Sequence, residues 1–277
     1  MKCIPLLSLF VILSMGYGQE VKVLTYNIKY DNVNDTVNNW NDRKAGMVQL
    51  LEHYQPGIIG MQEVLDNQFV YLKENLPKYS AIGVGREDGK KKGEYSPILF
   101  DTTKYRLIQG ETFWLSETPD KISVGWDAAL ERICTYALFE DVRTQKQFWV
   151  FNTHFDHRGD LAREKSVELL VSKIKEVNAD GKPVVLMGDL NLTPDQKPIQ
   201  YLQNELTDAQ SVSAQVFYGP TGTFNGFEPT KILGDRIDYI FVSGFEVARY
   251  VHIDDRMENN KHISDHLPVL AELHKDN

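Results

Sequence analysis

Six short polar clusters fall in order along this chain: Tyr26-Asn27, Gln62-Glu63, Thr153-His154, Gly188-Asp189-Leu190-Asn191, Arg236-Ile237-Asp238-Tyr239 and Ser264-Asp265-His266. Each sits at the end of an apolar run. Glu63 closes the run that starts at Ile58, and a carboxylate at the end of a buried strand costs free energy unless it is paired or metal-bound. Asn27 closes the first run and Asp265 opens the last. Few ligands, all oxygen and partly carboxylate, suit a hard divalent cation, with Mg²⁺ first and Mn²⁺ as the alternative where a phosphate completes the shell. Asp189 and Asn191 are two apart, so in an extended chain they share a face. There a carboxylate and a carboxamide would orient a water and hold a phosphate, while Gly188 allows close backbone approach. His154 and His266, with Asp238 to orient one of them, would stabilise charge in a phosphoryl transition state. Arg132 could add a bidentate phosphate contact. Each residue also has a plainer use: a turn at Asp189 to Asn191, structural histidines, a surface ion pair of Arg132 with Glu131 or Asp127.

These residues need strands that end together. The runs 21–28, 57–61, 96–100, 105–115, 132–139, 147–155, 184–187, 236–242 and 266–273 read as strands, being short, apolar and rich in β-branched and aromatic residues. Helices are expected at 40–53, at 66–76 with Asp66 as cap, and at 161–177 capped by Asp160. In the last, Val167, Leu170, Val171, Ile174 and Val177 form one apolar face. Gly85 to Glu94 (GREDGKKKGE) reads as an exposed hairpin loop with a solvated lysine tip. Many strands with interspersed helices imply mixed sheets packed together under helices.

The ordered series, extended by Thr223-Phe224 and Leu267-Pro268, resembles the endonuclease/exonuclease/phosphatase superfamily. That group includes DNase I-like nucleases, abasic-site endonucleases, deadenylase-type exonucleases, sphingomyelinases and inositol-polyphosphate 5-phosphatases. The resemblance spans about Val21 to Leu273. It implies a four-layer α/β sandwich with two central mixed β-sheets flanked by helices. It implies metal-side roles for Asn27, Glu63 and Asp265, with Glu63 the principal ligand. Asp189 corresponds to the residue that activates or orients the water, and Asn191 to its phosphate-contacting neighbour. His154 and His266 correspond to phosphate-contacting histidines, Asp238 to the aspartate that orients His266, and Arg132 to a phosphate-contacting arginine. The Asn-Tyr-Arg ending of the inositol phosphatase motif is missing, because Asn191 is followed by Leu192-Thr193-Pro194.

Composition bounds the rest. The chain has 277 residues and a net charge of −9, which argues against tight non-specific nucleic-acid binding. Lys2, the apolar run from Ile4 to Met15 and the small residues Gly16 and Gly18 describe a cleavable signal peptide over 1–18, leaving one catalytic domain over 19–277 and a secreted or periplasmic protein. Cleavage would leave Cys134 alone, a buried thiol inside an apolar run, with no disulfide framework. Trp114, Trp126, Phe224 and Phe227 are candidates for stacking, with core packing the plainer role. The expected partner is a phosphate ester, either nucleic acid or a small molecule, handled by a monomer without a stable protein partner. Three readings follow: a Mg²⁺-dependent phosphodiesterase or nuclease first, a phosphatase of a small metabolite, sugar phosphate or lipid head group second, and a non-catalytic binding protein third.

Overall fold

The structure is a computed structural model that describes residues 19–275. The expected signal peptide lies outside the described residues. Twelve strands and four helices follow one another along the described chain. They are β1 (Gln19–Asn27), α1 (Trp40–Tyr54), β2 (Ile58–Gln62), α2 (Asp66–Asn75), β3 (Tyr79–Ile82), β4 (Ile98–Asp101), β5 (Tyr105–Trp114) and β6 (Ile133–Asp141). Then come β7 (Gln147–His154), α3 (Asp160–Val177), β8 (Val184–Asp189), α4 (Lys197–Glu205), β9 (Thr207–Asp208), β10 (Asp238–Ser243), β11 (Glu246–His252) and β12 (Val269–Lys275).

Two six-stranded sheets result, ordered β11-β12-β1-β2-β4-β3 and β5-β6-β7-β8-β10-β9. Each is mixed. The pair β1–β2 is parallel in the first sheet and β7–β8 in the second, amid antiparallel neighbours. Alternation along the strands sorts their side chains between faces. Val21 and Val23 of β1 join Val150, Val185, Met187 and Ile240 of the other sheet in the central core. Leu24 and Tyr26 point the other way and pack with Trp40, Met47 and Leu51 of α1 and Leu72 of α2. On the far side, Trp149, Phe151, Leu186 and Phe241 pack against Val167, Leu170 and Ile174 of α3 and Ile199 and Leu202 of α4. Three apolar interfaces separate helix, sheet, sheet and helix, the expected four layers.

Register places the site. Asn27 lies opposite Gln62 where the parallel pair β1–β2 ends, and His154 lies opposite Asp189 where β7–β8 ends. Asp238, at the start of β10, also pairs with Asp189. The segment before β12 brings Asp265 and His266 to the same edge. Polar residues stitch the two sheets there. Asn152 donates to the carbonyls of Met61 and Pro97 at 2.8 and 2.9 Å, and accepts from Gln62 at 2.6 Å.

The helix starts differ from expectation. Leu65 occupies the N-cap position of α2, with Asp66 in its first turn. Gly159 caps α3, and Asp160 makes no capping bond. The first amides of α3 are met by Asp127 from a distant loop, which accepts from Ala162 at 2.7 Å and Leu161 at 3.3 Å.

Candidate active site

A cavity of about 520 Å³ opens where the strand ends of both sheets meet, lined by Lys29, Glu63, Glu94, Arg132, His154, Asp189, Asn191, Asp265 and His266, among others. Backbone geometry turns several of these side chains inward. Lys29, Glu63 and Asn191 have left-handed φ values of 57°, 59° and 50°, each just past a strand end. Such backbone costs free energy for a non-glycine residue and clusters at functional sites. Gly188 has φ 148°, and a Cβ there would lie 2.0 Å from the Thr153 carbonyl, so only glycine lets β8 approach β7 this closely.

One side of the cavity is carboxylate. The amide of Asn27 donates to Glu63 at 3.1 Å and to Asp189 at 3.0 Å, while its carbonyl takes the Lys29 N–H at 3.1 Å. Glu63 also accepts the Tyr30 N–H at 3.2 Å. The Lys29 ammonium sits between carboxylates, 3.3 Å from both Glu63 and Asp265. Burial works against ionisation of Glu63, but Lys29, His266 and Asn27 outweigh it and hold the carboxyl below its usual range. Lys29 is held above the usual ammonium range, because Glu63 and Asp265 outweigh its burial.

The other side holds the two histidines. Complete burial, followed by the charge of Asp238, pushes Asp189 up to about 7. Burial disfavours a charged His266, yet Asp238 (2.9 Å from Nδ1) and Asp189 (3.7 Å from Nε2) more than offset it and raise it to about 10. His154 is driven the opposite way by burial and by Arg132 and Arg86, well below its usual range. Its Nε2 lies 3.2 Å from the amide nitrogen of Asn191 and 3.5 Å from Asp189. That amide also donates to the Phe155 carbonyl at 3.0 Å, so Asn191 positions His154 in this arrangement. Arg132 is buried and pairs with Asp156 at 3.3 Å and His157 at 2.9 Å, not with Glu131 or Asp127. Its Nη1 is buried and makes no hydrogen bond among the described residues, while the residue itself lines the cavity.

The donor set suits a divalent cation. Glu63 and Asp265 face one point closely enough for a single ammonium to touch both, and the same carboxylate oxygens are the hard donors a divalent cation takes. Asp189, Asp238 and His266 form a tighter buried cluster, with ligand atoms within 4.8 Å. There the Asp238–His266 hydrogen bond already occupies one ligand atom of each.

A family model, described as the endonuclease/exonuclease/phosphatase family, matches residues 24–266. The chain belongs to that family. The family's divalent-metal-dependent phosphoester chemistry makes this chain a phosphoric ester hydrolase. Among solved structures, an endonuclease/exonuclease/phosphatase family protein from Bacteroides thetaiotaomicron is 37% identical, with a TM-score of 0.90 over 94% of this chain and 99% of that one. A mannosyl-6-phosphatase from the same organism is also 37% identical, with a TM-score of 0.88 over 91% and 99%. A probable RNA exonuclease of Saccharomyces cerevisiae is 26% identical over 65% of this chain and 39% of its own length.

For a member of this family, the structure brings all nine sequence-predicted residues, Asn27, Glu63, Arg132, His154, Asp189, Asn191, Asp238, Asp265 and His266, to one edge of the sandwich. Sequence reasoning passed over Lys29 and the Arg86–Glu94 pair, and it named Thr223 in the motif series without giving it a role. Thr223 Oγ accepts the Ile237 and Asp238 amides at 3.1 and 3.2 Å and so fixes the start of β10. The loop of Arg86 and Glu94 is not simply solvated: its lysines are exposed, but Arg86 and Glu94 pair at its base, and Glu94 lines the cavity. Alternating charge hid this, since Arg86 and Glu94 resemble every other charge in that loop. Of the aromatics, Phe224 lies edge-on to His266 at 5.1 Å, whereas Trp114 is buried and donates to the Arg86 carbonyl at 2.8 Å.

Proposed function

We propose that this chain is a secreted, Mg²⁺-dependent phosphomonoesterase acting on a sugar phosphate or the phosphate monoester of a similarly small polyol. The observation that carries this reading is its likeness to the mannosyl-6-phosphatase over nearly the whole of both chains. The acidic balance of the sequence and the carboxylate-rich cavity agree, since neither favours a polyanionic strand. Secretion is supported by the composition of residues 1–18, and a monomer is the default assembly.

Glu63 and Asp265, with Asn27 bridging Glu63 to Asp189, would hold the cation, whose chemistry is to polarise the phosphate and stabilise the leaving oxygen. Asp189 orients a water for in-line attack on phosphorus. His266, as imidazolium, and Arg132 draw the non-bridging oxygens, and neutral His154 supplies a further contact. As the water oxygen bonds to phosphorus its proton passes to Asp189, the P–O bond to the alcohol breaks, and the departing oxygen takes up a proton from solvent and leaves as the alcohol; no covalent enzyme intermediate is needed.

A second reading, a phosphodiesterase or nuclease, is favoured by the likeness to the RNA exonuclease. Parallel assays of hexose 6-phosphate and bis(p-nitrophenyl) phosphate, each with Mg²⁺ and with EDTA, separate the two. EDTA-sensitive release of phosphate from the monoester, with little diester cleavage, is the expected result. Diester cleavage alone would overturn the monoesterase reading.

A further inference from the structure

The loop from Gly85 to Glu94 is built to a fixed shape. Asp88 accepts the amides of Lys90, Lys91 and Lys92 at 2.8, 2.9 and 2.9 Å. Arg86 N–H donates to the Glu94 carbonyl at 3.1 Å, closing the loop at its base. Gly93, with φ 80°, makes the left-handed bend that precedes Glu94. Arg86 then grips Glu94 with both arms of its guanidinium, Nη1 to Oε2 at 2.8 Å and Nη2 to Oε1 at 3.0 Å. The Arg86 side chain is 8% exposed and that of Glu94 18%, and only Glu94 lines the cavity. The guanidinium stands behind and the carboxylate faces forward.

A carboxylate oxygen has roughly two lone-pair directions, and the fork uses one on each. The second direction on each oxygen remains for a ligand. Glu94 Oε2 lies 3.9 Å from His154 Nδ1, so these acceptors sit beside the groups that face the phosphate. Pinning the loop alone gives a weak reason for such a pair, because burying two charges is costly and apolar packing can replace it.

We infer that Glu94, braced by Arg86, reads the alcohol half of the substrate: its two oxygens accept neighbouring hydroxyls of a polyol next to the phosphate, and its charge turns away a second phosphate. This rests on the monoesterase reading above. It makes Glu94 a specificity-determining residue for polyol monophosphates over aryl phosphates and over bisphosphates.

The test compares kcat/KM of wild type, Glu94→Ala and Glu94→Gln for hexose 6-phosphate, hexose 1,6-bisphosphate and phenyl phosphate. In Glu94→Ala the ratio of hexose 6-phosphate to phenyl phosphate should fall about tenfold or more, the scale of a lost hydrogen bond to a charged acceptor. The ratio of bisphosphate to monophosphate should rise. If Glu94→Ala fails to fold, Glu94→Gln, which keeps the volume and one acceptor oxygen, should move both ratios in the same directions by less. Equal losses on all three substrates, or unchanged ratios, would overturn the assignment and leave Glu94 as a loop anchor. A wild type that cleaves no monoester would overturn the monoesterase reading and this inference together. An active enzyme with unchanged ratios would overturn this inference alone.

Discussion

Two histidines share one cavity in opposite charge states because different groups stand behind them. His266 has the buried carboxylate of Asp238 on Nδ1 and stays protonated until the pH rises through about 10. His154 faces Arg132 and Arg86 and stays neutral. An imidazolium attracts phosphate oxygens, whereas a neutral ring offers a directional contact without competing for the cation. The dependence on Asp238 is testable. His266 has a folded pKa raised above its ordinary value, so its charge is present at neutral pH and is lost on the alkaline side. In Asp238→Asn the carboxylate that lifts it is gone, and deprotonation should move to lower pH. NMR titration of the His266 ring should show that shift, and kcat at neutral pH should fall about a hundredfold. A fold-wide defect would lower activity without moving the titration of this one ring. The candidate site residues stood out in the sequence because each sits at the end of an apolar run, where a charge is conspicuous. Lys29 did not, because one lysine after a strand looks like any other. Its left-handed backbone and its place between Glu63 and Asp265 exist only in three dimensions.

Elements reach this site by how they end. β1 and β2 each give way to a left-handed residue within two positions, and β8 does so at Asn191, where Asp189 accepts the Asn191 amide at 2.9 Å. Apolar runs announced the buried strands, but the edge strands β3, β9 (two residues) and β11 carried too little contrast to be read. Helix α4 has only two buried apolar residues, Ile199 and Leu202, and was missed for the same reason. The start of α3 shows how a local rule fails. Asp160 stands in the cap-like position in sequence, yet its side chain is exposed and contacts Arg163. Asp127, more than thirty residues away, meets the free amides instead. Asp127→Ala should therefore lower stability by about 1 kcal/mol, whereas Asp160→Ala should cost less than about 0.5 kcal/mol, as an exposed ion pair does. Urea unfolding of the two variants decides between the residues, and the reverse order would return the cap to Asp160.

Across the whole molecule, the site exists only where two sheets agree. The family resemblance carried the layered architecture. What the sequence did not disclose is how the layers are locked in register. The central core is mostly apolar, and apolar packing allows small sliding without a sharp penalty. The lock is polar. Asn152 on β7 reaches across to the Met61 and Pro97 carbonyls and takes the Gln62 amide, which also donates to Thr25 on β1 at 3.0 Å. Gln62 immediately precedes Glu63, and Asn152 lies two residues before His154, so this bridge ties the carboxylate side of the cavity to the histidine side. A hydrogen bond has a direction that a methyl contact lacks, which suits it to fix one strand end against another. Asn152→Ala should cost the buried Met61 and Pro97 carbonyls a donor and one Gln62 N–H its acceptor, although the Pro97 carbonyl keeps the Met61 amide at 3.0 Å, and each group left unpaired away from water costs about 1–3 kcal/mol. Unfolding free energy should fall by about 2–4 kcal/mol, and kcat should fall even at temperatures where the variant is fully folded. Asn152→Ala combined with Gln62→Leu removes the stranded amide and should recover part of the stability without recovering kcat, because the apolar replacement restores burial but not direction. Recovery of both together would mean that packing alone sets the spacing between Glu63 and His154.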